Sequence, residues 1–151
     1  LTAQNHPALF EHSPWVEARA DAAPSSGDRH ADLMRVVYAA SAEEQLALIR
    51  AHPELAGKAA IDGSLTQASA AEQASAGLDR LTPDEFARFH ALNAAYRAKH
   101  AMPFIICVRL TDKAGILAAM EARTAHDTAT EVTTALAEIG KIVKLRLEAI
   151  S

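Results

Sequence analysis

His52 stands immediately before Pro53, and the hydroxyl of Ser69, the carboxylate of Glu72 and the amide of Gln73 follow a short loop later. Together they form a compact acid/base set, because an imidazole titrates near neutrality, a carboxylate exchanges protons and an amide can fix a substrate between them. A helix should deliver the histidine. Ser41-Ala42-Glu43-Glu44 has the S-x-x-E form of a capping box, and Leu46 and Ile49 then recur at helical spacing, so a helix is expected from about residue 42 towards 51. Proline disfavours helical geometry at the residue before it, which stops that helix close to His52. A histidine there could equally do no more than cap the last carbonyls, and the local pattern leaves both readings open.

Ser69, Glu72 and Gln73 are related as i, i+3 and i+4 and share one helical face, opposite Ala74, Leu78 and Leu81. That polar face is either exposed or aimed into a pocket, and Ser69-x-x-Glu72 can also be read as a capping box. In the last helix Val132, Leu136, Ile139, Val143 and Ile150 form an apolar stripe at alternating spacings of four and three, with Arg146 in its penultimate place. A guanidinium there is expected either to be buried beside an anion or to reach past the edge into water. Replacing it by leucine should complete the stripe and leave stability equal or better. Metal chemistry has little support: the seven histidines include no pair at i, i+3 or i+4, there is no HExxH, and the single Cys107 cannot build a thiolate site. No GxSxG, Walker A or GxGxxG motif occurs. The residues offer acid/base and electrostatic chemistry without an evident cofactor.

The remaining elements follow from local signals. Ser13-Pro14 should cap and begin a helix that carries Trp15 into the core, and Asp21 to Gly27 reads as a loop. A helix starting near Asp28 or His30 carries Leu33, Val36, Val37 and Tyr38. Gly57 to Ser64 reads as a long connection that orders again at Leu65 or Thr66. Thr82-Pro83-Asp84-Glu85 is a strong helix start, with Phe86, Phe89, Leu92 and Tyr96 as the buried stripe. The run Phe104 to Leu110 could be a short buried strand or an extended connection. Asp112 starts a helix through Met120, and a long one runs from about Asp127 to Ile150. The total is six to eight helices with no sheet, an all-α fold.

The 151 residues, 50% hydrophobic and 23% charged, suit one domain spanning 1–151. A net charge of −4, with 15 Lys and Arg dispersed among 19 Asp and Glu, offers no stripe for nucleic acid. No apolar run approaches the ~20 residues that cross a bilayer, so no membrane partner is expected. Cys107, inside Phe104-Ile105-Ile106-Cys107-Val108, should be a buried, inert thiol, which fits a cytoplasmic location. The missing initial Met suggests that Leu1 is not the natural start.

His52-Pro53-Glu54-Leu55-Ala56, Ser69-x-x-Glu72-Gln73-x-x-Ala76-Gly77-Leu78, Phe89-x-x-Leu92-Asn93-x-x-Tyr96-x-x-Lys99-His100-x-Met102-Pro103-Phe104-Ile105 and Ile142-x-x-x-Arg146-Leu147 together resemble the OHCU (2-oxo-4-hydroxy-4-carboxy-5-ureidoimidazoline) decarboxylase family of urate degradation. The resemblance spans essentially the whole chain, from Phe10-Glu11-x-Ser13-Pro14-Trp15 onward. It implies an all-helical, cofactor-independent carboxy-lyase that makes (S)-allantoin and carbon dioxide from OHCU. By the same resemblance His52 is catalytic with Pro53 beside it, and Glu72 shares the catalytic work. Ser69, Gln73 and Arg146 bind substrate, as does the backbone of Phe104, Ile105, Ile106, Cys107 and Val108. A homodimer is compatible with it. One departure lies in Glu121-Ala122-Arg123-Thr124-Ala125-His126, where the family pattern Arg-x-x-Asn has His126 in place of Asn. Two rivals remain: a non-catalytic helical module that binds a small anionic ureido ligand or a protein partner, and a lyase or hydrolase of another ureido acid.

Overall fold

A computed structural model of the chain describes residues 7–10, 12–57 and 63–150. These hold seven α-helices: α1 (Trp15–Asp21), α2 (Arg29–Ala39), α3 (Ala42–Arg50), α4 (Gln67–Ser75), α5 (Pro83–His100), α6 (Lys113–Thr124) and α7 (Thr128–Ile150). Single 3-10 turns lie at Pro7–Phe10 and Val108–Leu110, and no strand occurs among the described residues. The run from Phe104 is therefore an extended connection ending in a 3-10 turn. Glu11 and most of the connection between Gly57 and Ser64, residues 58–62, lie outside the described residues, as does the segment before Pro7.

Local side chains set most helix starts. Ser41 and Glu44 make the reciprocal capping box of α3, and Thr82 and Glu85 make that of α5 with Pro83 in its first turn. Asp28 caps α2 by accepting from Ala31 N–H, and Asp112 caps α6 through Gly115 N–H. Asp127 does the same for α7, its Oδ1 2.7 Å from Thr130 N. Two starts differ from expectation. The α1 cap position is occupied by Pro14 itself, in helical geometry and with no side-chain cap bond, while Ser13 is buried one residue earlier. Thr66 caps α4 by accepting from Ser69 N–H, so Ser69 is the third residue of the helix and Ser69-x-x-Glu72 is not its capping box. The other end of α4 closes at Gly77, whose φ of +79° allows Gly77 N–H to reach Ala74 O and Leu78 N–H to reach Gln73 O, both at 2.9 Å. Leu78 packs in the core from beyond the helix end.

Helix α7 runs through the middle of the assembly, packed by α2, α3 and α5, while α1 lies on α2 and α6 on α5. One contiguous core includes Phe10, Leu33, Leu48, Ile49, Phe89, Tyr96, Phe104, Ile139 and Val143. At the α2–α7 crossing the backbone of Gly140 comes so near Met34 that an added Cβ would lie 3.1 Å from Met34 Cε. His30 Nε2 sits 2.8 Å from Gly140 O at the same crossing. Two stripe residues prove exposed. Tyr38 is 55% exposed because neighbouring Val37 faces the core, and Phe86, 38% exposed in the first turn of α5, lies alongside the His90 ring. Trp15 is only half-buried, with the Arg19 guanidinium 4.6 Å above its ring. No helix among the described residues is long and apolar enough to cross a membrane.

Candidate active site

The C-terminus of α3 delivers the histidine. Ala51 keeps helical angles, His52 N–H still reaches Ile49 O at 3.1 Å, and the chain then leaves the helix at Pro53. The imidazole is 6% exposed, and Nδ1 lies 2.9 Å from Leu48 O. A carbonyl can only accept, so Nδ1 carries the proton and the neutral ring has its basic lone pair on Nε2. The capping bond and the chemical role thus use different nitrogens of one ring.

The turn after Pro53 is held by amides from two helices. Ala56 adopts φ +52°, an uncommon conformation for a residue with a Cβ. Its N–H donates to Gln73 Oε1 at 3.0 Å, and Gln73 Nε2 donates to Glu54 O at 3.3 Å. Asn93 Nδ2 donates to Leu55 O at 2.8 Å. Gln73 therefore both lines the site and commits its amide to the loop that follows His52. Asn93 sits four residues after Phe89 and three before Tyr96, on the buried face of α5, and that register, with its place in the family motif, is the signal that marks it.

Helices α4 and α7 supply the charged pair. Arg146 is 7% exposed and does not snorkel. Its Nε and Nη2 each lie 2.8 Å from a different oxygen of Glu72, a two-point fork, and Nη2 is 3.3 Å from Ser69 Oγ. The polar face of α4 thus points inward, onto the cation in the apolar stripe.

The fourth wall is the extended segment after Pro103. Phe104, Ile105, Ile106 and Val108 join His52, Pro53, Leu55, Ser69, Glu72, Gln73, Ile142 and Arg146 around one recess of about 370 Å³, counting its open mouth. Cys107 is the exception among the expected residues. It does not line the recess, its N–H donates to Glu138 Oε1 at 2.9 Å, and burial pushes its thiol pKa up. Behind this segment lies a buried polar cluster. Glu131 accepts from Tyr96 OH at 2.6 Å and from Arg123 Nε at 2.9 Å, and its second oxygen is 2.9 Å from His126 Nδ1. These hydrogen bonds hold the Glu131 carboxyl below the usual range although burial opposes them. Arg123 Nη1 also donates to Ile105 O at 2.7 Å, with its guanidinium 4.3 Å from the Phe104 ring centre. His126, where the sequence departs from the family pattern, is a partner of this cluster.

An all-helical fold with one recess that combines a buried imidazole, an arginine–carboxylate fork and a peptide edge has the form of a site for a small polar molecule. The chain belongs to the OHCU decarboxylase family, whose model matches residues 4–148. The 2-oxo-4-hydroxy-4-carboxy-5-ureidoimidazoline decarboxylase of Haloferax volcanii is 42% identical over 142 residues, covering 92% of this chain and 82% of its relative. The uric acid degradation bifunctional protein PucL of Bacillus subtilis is 36% identical over 143 residues, which cover 28% of that longer protein. Among solved structures, an (S)-allantoin synthase aligns with TM-score 0.69 and 29% identity over 95% of this chain, which spans about half, 47%, of the other. An OHCU decarboxylase crystallised in the presence of (S)-allantoin shares the fold at TM-score 0.74 and 18% identity, covering 97% of this chain and 96% of that one.

Proposed function

We propose that this protein decarboxylates OHCU to (S)-allantoin and carbon dioxide, without a cofactor, in urate degradation. The observation that carries the reading is the shared recess in which the His52 imidazole and the Glu72–Arg146 fork face the same space, in a chain of this family. Breaking the bond to the substrate carboxylate releases carbon dioxide and leaves its electron pair delocalised over the ring. A proton delivered to one face then completes allantoin and fixes its hand. His52, basic at Nε2, acts as the acid/base group at the substrate hydroxyl or carboxylate. Arg146 and the N–H groups of the peptide edge stabilise the developing negative charge, and the fork with Glu72 fixes where the guanidinium points. Ser69 completes the polar wall, and Gln73 and Pro53 hold the histidine loop against the substrate.

The same reading takes residues 1–151 as one domain working in the cytoplasm, and it is compatible with a homodimer, which sedimentation equilibrium reads directly. A non-catalytic module that binds a ureido anion predicts something different. Freshly generated OHCU, followed by ultraviolet absorbance with circular dichroism of the product, should disappear faster with protein present and give one allantoin enantiomer. A binding module would change neither the rate nor the hand.

A further inference from the structure

The extended segment after Pro103 is gripped from behind by two side chains of opposite charge. Arg123, from α6, donates to the carbonyl of Ile105 at 2.7 Å, and Glu138, from α7, accepts from the N–H of Cys107 at 2.9 Å. Both are buried, and each is held by a further charge: Arg123 by Glu131 at 2.9 Å, and Glu138 by Lys141 at 2.6 Å. In an extended chain the polar groups of residues i and i+2 point to one side and those of i+1 to the other. Gripping residues 105 and 107 from the helix side therefore leaves the N–H groups of Ile106 and Val108 on the side of the recess that both line, while the Val108 carbonyl turns into the 3-10 turn and accepts from Thr111 N–H at 3.3 Å. No acceptor among the described residues takes either of those two N–H groups.

We infer that Arg123 and Glu138 are positioning residues, a charge-complementary clamp that fixes the aim of the Ile106 and Val108 N–H groups at the substrate's developing negative charge. The inference rests on the decarboxylase reading for its substrate but on this geometry for its residues. A donor aimed at a transition state loses much of its effect when it is displaced by about 1 Å, and such a displacement can lower the rate up to roughly 100-fold. The clamp also gives a role to a carboxylate that is buried on α7 without lining the recess.

The test uses the full chain with Glu138→Ala, which removes the acceptor, and Glu138→Gln, which keeps a carbonyl oxygen there and removes the charge. We expect the Ala variant to lose about tenfold or more in kcat and part of its product handedness. The Gln variant should stay within about threefold of wild type, because a neutral acceptor still holds the Cys107 amide. A merely structural glutamate would lower the melting temperature while leaving the handedness of the product intact. Amide exchange on the wild-type protein keeps the inference testable if the Ala variant does not fold. The Cys107 amide should be protected in the free protein, and those of Ile106 and Val108 should become protected only with saturating (S)-allantoin. Wild-type kcat and handedness in the Ala variant, or a Cys107 amide that exchanges as fast as that of Ile106, would overturn the clamp. If the wild-type chain does not turn over OHCU, the functional reading fails instead, and Cys107 protection still decides the clamp.

Discussion

At the scale of single residues the site rests on groups that carry two tasks each. His52 caps α3 through Nδ1 and offers Nε2 to chemistry. His52→Asn can keep a donor for Leu48 O but has no titratable nitrogen, so its melting temperature should stay near wild type while kcat falls by about 10²–10⁴-fold. His52→Ala should lose the same activity and about 1 kcal/mol of stability as well, read by urea titration. Equal activity in the Asn variant would leave His52 only its cap. Arg146 takes the first of the two places its stripe left open, buried beside an anion. Leucine there would fill an apolar position, but the Glu72 carboxylate, with a side chain 12% exposed, would lose both of its 2.8 Å partners. Arg146→Leu should therefore be destabilised by about 3 kcal/mol, and Glu72→Gln in the same chain should restore part of that. Lysine should restore little activity, since one ammonium cannot reproduce the fork. If the leucine variant melts at or above wild type, the pair contributes nothing to the fold.

At the scale of elements, helix ends were legible in the sequence because the residues that set them are local. Ser41 with Glu44, Thr82 with Glu85, and Asp112 each act within one turn, and the structure shows each cap where the pattern predicts it. Faces were less legible, because which side of a helix is covered depends on its neighbours. Tyr38 and Phe86 fit their periodic stripes and are exposed, while Asn93, Glu131 and Glu138 interrupt apolar faces and are buried. Pairings between distant helices left no local signal at all, so neither Arg123 on Ile105 nor Gln73 on the loop after His52 could be read from spacing. Helix α1 carries another such residue. Glu17 is 4% exposed, one of its oxygens has no partner among the described residues, and burial raises its pKa from 4.5 to about 7, with Arg29 opposing and Asp21 adding to the shift. A carboxyl whose folded pKa is raised contributes its full stability below the unfolded value. That contribution is lost as pH climbs from 4.5 through about 7, and at most about 3 kcal/mol is involved. Glu17→Gln should match wild type near pH 4.5 and exceed it at pH 8, by denaturant titration at both. Equal stability at pH 8 would mean that Glu17 is hydrated in solution.

At the scale of the whole molecule, α7 joins the two halves of the site, since Arg146 reaches the recess and Glu138 grips the peptide edge from the same helix. The family motifs were legible because several short patterns occur in the right order, although each alone is weak. No three His, Cys, Asp or Glu side chains converge as metal ligands among the described residues. The family resemblance implies cofactor-free chemistry, so turnover should survive dialysis against EDTA, and a loss of activity restored by added metal would reassign the chemistry. The decarboxylase assignment and the role of His52 are tested together by the rate and handedness of OHCU conversion by the wild-type chain beside His52→Asn. Rapid loss of OHCU absorbance with a circular dichroism signal of (S)-allantoin is expected for wild type, and near-background decay to racemic product for the variant. Background decay and racemic allantoin with the folded wild-type protein would contradict the assignment.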